Sequence, residues 1–128
     1  MTLTENASLA ASVDQESNVT SSDLEILLAA EIAEALDVTT YTNIIKRAPF
    51  FTRLQSDDQG YLKAARQEEM SHYLLEKSLT NRDSPFTKFF YPPHMFANSQ
   101  VTLDTLVSLE DAFIAAISLG CGASAIAI

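Results

Sequence analysis

Glycine is scarce in this chain, with three residues in 128, and proline is hardly commoner at four. A many-turned β fold draws on both at its turns, so their scarcity argues against one, and the abundance of Ala, Leu, Glu and Gln points to helices. Cys121 is the single cysteine, which excludes an internal disulfide; in its apolar setting it reads as a small core residue. Basic residues are also few, 8 against 17 acidic, for a formal charge of −9. Such a chain repels phosphate backbones and anionic lipid, which argues against nucleic-acid and membrane-surface binding. Residues 1–22 lack both a positively charged start and a continuous apolar run, so no secretory signal is read and the cytoplasm is the default location.

What is present is a globular mixture, 47% apolar and 20% charged, enough for one domain with a real core. Residues 1–22 are rich in Ser, Thr, Asn and acids without periodicity and read as a mobile polar tail. The helical domain is expected over residues 23–128. Asn6-Ala7-Ser8 and Asn18-Val19-Thr20 match the glycosylation acceptor pattern, which is short enough to arise by chance. Ser22-Asp23 offers a helix N-cap. Leu24, Leu27, Leu28, Ala35, Val38 and Ile45 then recur at helical spacing until Pro49. Ser56-Asp57-Asp58 is a second start signal, for a helix reaching about Leu79. Residues 81–100 hold Pro85, Pro92 and Pro93 among aromatics, as an ordered irregular crossover would. Thr102 can cap a third helix from Leu103 to about Leu119. The uncharged stretch from Ala112 to Ile128 is shorter than the roughly 20 residues a membrane helix needs, and reads as a helix hidden in a bundle core.

The second helix carries the first chemical signal. Its buried stripe should be Leu62, Ala65, Glu69, His72, Glu76 and Leu79, which places a Glu and a His one turn apart on one face. A buried carboxylate without a partner costs several kcal/mol, so it should be paired, protonated or bound to a cation. The third stripe, Leu103, Leu106, Glu110, Phe113 and Ile117, has Glu110 at its centre. The first helix brings Glu31 near the middle of its stripe and Glu34 near the edge, with Tyr41 two turns on. Three helices thus each raise a carboxylate to mid-core height. Glu-x-x-His alone also occurs on ordinary surface helices. Glu68 and Glu76 fit surface or supporting roles, and His94, after two prolines, fits an exposed or structural loop position. Tyr41, Tyr61 and Tyr73 fit core-edge positions seeking a hydrogen bond.

At these residues the chain resembles ferritin-like domain proteins of the rubrerythrin/ferritin superfamily. The matching segments are Ala33 to Thr42, Tyr61 to Ala65 with Glu68 to Tyr73, and Leu109 to Ala116, in order over residues 23 to about 120. The resemblance implies an all-α, ferritin-like helical bundle with three long helices and an irregular crossover. It also implies metal ligands at Glu34, Glu69, His72 and Glu110, for iron or manganese, with one acid bridging two ions. Stripe geometry favours Glu31 and the Tyr41 spacing favours Glu34; Glu34 is taken, with Glu31 in reserve. The chain departs from the family in one respect. That site uses two single Glu and two Glu-x-x-His helices, whereas no Glu or His follows Glu110 here, so the fourth helix is missing. Truncation, a partner that supplies the helix, or loss of metal binding would each account for this.

Two functions follow. The first is a ferritin-like metal-binding protein of the di-iron or di-manganese carboxylate type, oxidising Fe(II) with oxygen or peroxide and inactive if truncated. The second is a non-catalytic helical interaction module whose apolar C-terminal helix docks a partner. Either way a helix so apolar needs a cover, so self-association or a partner helix is expected. A membrane anchor is a weaker third reading.

Overall fold

A computed structural model describes the backbone of residues 20–125 and the side chains of residues 20–120. The expected tail up to residue 19 lies outside these, with the Asn6-Ala7-Ser8 pattern, Asn18 and Val19 of the second pattern, and the Cys121 side chain. Three long helices and no strand are found among the described residues: α1 (Ser21–Arg47), α2 (Ser56–Thr80) and α3 (Ser99–Ala125). The chain is all-α, as its composition implies.

Helix α1 starts slightly before the expected Ser22-Asp23 cap. Thr20 is the N-cap: its hydroxyl accepts from the Asp23 backbone N–H, and the Asp23 carboxylate accepts from the Thr20 N–H at 3.0 Å. This reciprocal arrangement satisfies two donors that would otherwise lack partners. The boundary placed between residues 22 and 23 therefore falls inside the first turn. At the other end Lys46 and Arg47 suit the negative pole of the helix, and Ala48, extended before Pro49, ends it.

Helix α2 starts at Ser56 as expected, with Asp57 and Asp58 in its first turn, and closes on Asn81 in the left-handed conformation. Helix α3 begins at Ser99, a turn before the expected Thr102 cap. The Asn98 side chain accepts from the Gln100 N–H, while Thr102, buried in the first turn, donates to the Asn98 and Met95 carbonyls.

Helix α1 packs along its length on α2 and more sparingly on α3. One apolar core lies where α1 ends and α2 begins: Ile44, Ala48, Phe50, Phe51 and Leu106, flanked by Tyr41, Leu54, Leu62 and Phe96. The crossover between α2 and α3 is irregular and seated by particular contacts. Met95 is 2% exposed, Tyr91 stands edge-on to Phe96, and the Tyr91 hydroxyl lies 3.1 Å from that of Thr40. The Thr40 hydrogen already serves the Leu36 carbonyl, so Tyr91 is the donor. At the far end Gly120 lets α3 approach α1; a β-carbon there would lie 3.2 Å from Ile26.

Burial departs from the expected stripes. On α1 the buried positions are Ala30, Glu31, Ala35, Asp37, Thr40 and Ile44, half of them polar, while Leu24, Leu27, Leu28, Val38 and Ile45 are half-buried. Leu79, Leu103 and Ile117, expected in the core, are exposed, and so are Leu74, Leu75, Val107, Ile114 and Leu119. The reason is layering. Helices α2 and α3 each meet α1 on one side, and no described element covers the other. The stretch from Ala112 is therefore not hidden in a core up to residue 120. No described helix is long and apolar enough to cross a membrane.

Candidate metal centre

The seam between α1 and α2 is where the acids gather. Three contacts fix the antiparallel register of the two helices. Arg66 donates to the Thr42 hydroxyl at 2.7 Å, His72 Nδ1 lies 3.7 Å from Glu34 Oε1, and Thr80 donates to Glu31 Oε2 at 2.7 Å. As α1 is read backwards from Thr42 to Glu31, α2 runs forwards from Arg66 to Thr80.

At the middle of this seam Glu34, Glu69 and His72 converge. Each offers a ligand atom, and the three atoms all lie within 4.8 Å of one another. His72 Nδ1 is 3.2 Å from Glu69 Oε2, as expected of residues one turn apart on the same face. Glu34 comes from the opposite helix. Its carboxyl hydrogen-bonds to that of Glu69, and burial, followed by that hydrogen bond and the charge of Glu69, pushes it up to about 9. At neutral pH the pair therefore holds a proton where a cation would sit. The His72 side chain is 49% exposed, against its expected place in the buried stripe. It closes the group on the solvent side, with the two carboxylates behind it.

Glu110 stands apart from this trio. It reaches the seam from α3, and its carboxyl is raised by burial and then by the charge of Glu69. It also acts on Asp37, which burial and then the charges of Glu110 and Glu69 push up to about 7. Tyr41 belongs to the same side. Burial, then Glu110, Glu69 and Asp37, push its phenol up to about 12, so it remains a hydrogen-bond donor.

Two acids matter more than their sequence suggested. Asp37 is 4% exposed and was passed over, although it sits one turn beyond Glu34 and one turn before Tyr41 on the same face. Glu76, read as a surface or supporting charge, is half-buried and pushed up to about 7 by burial, with Glu31 and Glu69 adding to the rise and His72 opposing it. Glu31, held in reserve, is fully buried and tied to Thr80 at the end of α2. Glu68 is exposed, and so is His94, which adopts a positive φ of 67°.

The donor set suits a divalent transition metal. Two carboxylates and an imidazole match the hard and borderline ligands that iron, manganese and zinc accept. Glu34 Oε2 is buried without a hydrogen-bond partner, an oxygen that coordination would satisfy. The carboxylates crowd one another enough to retain a proton, and a cation would relieve that repulsion.

No family model, no curated protein and no solved structure matches this chain.

Proposed function

We propose that the chain is a metal-binding helical protein of the ferritin-like carboxylate type, holding iron or manganese through Glu34, Glu69 and His72. The convergence of three ligand atoms within 4.8 Å, drawn from two helices, carries this reading. Glu110 and Asp37 line the next position along the seam, where Asp37 feels the charge of Glu110. With Glu69, they are the residues that would supply oxygens to a second ion. When bound, iron would supply electrons for reduction of oxygen or peroxide, with Fe(II) oxidised to Fe(III). The half-exposed face of His72 leaves a path for an oxidant, and Tyr41, kept protonated, can donate a hydrogen bond beside the site.

Anaerobic Fe(II) titration of the full chain, followed by exposure to oxygen, tests this. Stoichiometric binding is expected, reduced by the ion held at His72 in a Glu69→Ala, His72→Ala double variant that keeps the parent's helix content. Binding that the double variant retains unchanged would sink the reading.

A second reading is favoured by the row of exposed apolar residues on α2 and α3. Leu75 is 59% exposed, Ile114 62% and Leu119 76%. In this reading the chain is a non-catalytic module, the acids form a proton-sharing network, and the open face binds another helix or a second copy. Both readings call for a cover over that face. Only the first calls for metal.

A further inference from the structure

Glu31 and Glu76 take no part in the Glu34–Glu69–His72 group, yet they lie in the same seam. Glu31 is one turn before Glu34 on α1, and Glu76 is one turn after His72 on α2. The antiparallel register that joins Thr80 to Glu31 brings Glu76 opposite Glu31, and the charge of Glu31 acts on Glu76. Glu31 is 0% exposed. Its Oε2 faces α2 and accepts the Thr80 hydroxyl at 2.7 Å, while its Oε1 is buried with no partner. Glu76 Oε2 and Glu34 Oε2 are also buried and unpartnered. A carboxylate oxygen sealed from water without a donor is costly, and three occur along this one seam.

We propose that Glu31 and Glu76, with the free oxygen of Glu34, form a second cation subsite one turn along the seam from His72. Its donors are all oxygen, so it selects a hard divalent ion such as Mn2+ or Mg2+, whereas the imidazole site also accepts Zn2+. The three carboxylates do not close within 4.8 Å as the His72 group does. Glu76, long and half-buried, is the arm that swings in. The subsite shares only Glu34 with the proposed iron or manganese centre and does not depend on Glu69 or His72 binding metal.

Mn2+ binding by the full chain, followed by the electron paramagnetic resonance of free and bound ion, tests this, with Zn2+ binding measured in parallel. The Glu69→Ala, His72→Ala variant is expected to retain one Mn2+ that shows no nitrogen coupling. Glu31→Gln and Glu76→Gln are each expected to lose one Mn2+ per chain while Zn2+ binding persists. If Glu31→Gln fails to fold, Glu76→Gln decides, because its side chain is only half-buried. Unchanged Mn2+ stoichiometry in Glu76→Gln, or no Mn2+ bound by the double variant, overturns the proposal. No Zn2+ bound by the unmutated chain, with this Mn2+ still bound, would instead count against the His72 centre.

Discussion

A carboxyl group that titrates near 9 is neutral at physiological pH, and Glu34 is in that position because burial in the seam, and then Glu69 lying against it, disfavour its charged form. Replacing its hydroxyl by an amide changes little in the metal-free protein. Glu34→Gln is therefore expected to leave the metal-free melting temperature at pH 7 close to the parent's. Its metal affinity should fall by more than the roughly 10–100-fold that losing an outer hydrogen-bond partner costs. Calorimetric melts and metal titration check the two halves separately. Thr80 makes a different contribution. Its hydroxyl is the one donor that Glu31 has among the described side chains, and Thr80→Val would leave both Glu31 oxygens buried and unpartnered. A loss of about 1–3 kcal/mol is expected by denaturant unfolding, whereas Thr80→Ser should largely preserve stability.

At the scale of elements, the helices follow from local chemistry and the site does not. Pro49, the Ser56-Asp57-Asp58 start and the spacing of Glu69 to His72 are properties of short segments, so they are legible in the sequence. Which acid of α1 faces His72 is set by the register of α1 on α2, a property of two helices together; periodicity alone favoured Glu31, and the structure brings Glu34 there. Asp37 was missed because its partners, Glu69 and Glu110, come from other helices. The burial of Leu79, Leu103 and Ile117 was misjudged because an apolar stripe shows that a face needs cover, not that a described element provides it. The stripe on α1 does better at its end, where Ile44, 1% exposed, is locked among Phe50, Phe51 and Leu106. Ile44→Ala should cost about 2–5 kcal/mol, and Ile44→Val about 0.5–1.5 kcal/mol. Equal losses in the two variants would contradict tight packing at that junction.

For the whole molecule, the acids make metal-free stability depend on pH with a definite sign. Glu34 is raised from 4.5 to about 9, Asp37 from 3.8 to about 7 and Glu76 from 4.5 to about 7. Between those limits the folded chain holds protons that the unfolded chain releases, so their contribution is fully present below the unfolded values and is lost as pH rises through the folded ones. The metal-free protein should thus melt higher near pH 5 than near pH 8.5, and bound metal should narrow the difference, releasing protons as it enters. The open apolar face of α2 and α3 has a consequence at the same scale: self-association in sedimentation equilibrium, weakened by Leu75→Lys or Ile114→Lys. The centre itself is tested most directly by X-ray absorption at the metal edge of the iron- or manganese-loaded full chain. An oxygen- and nitrogen-ligated ion with one imidazole contribution is expected, and that contribution should vanish in His72→Ala. A loaded ion whose spectrum shows no imidazole, or the same imidazole in His72→Ala, would contradict the site.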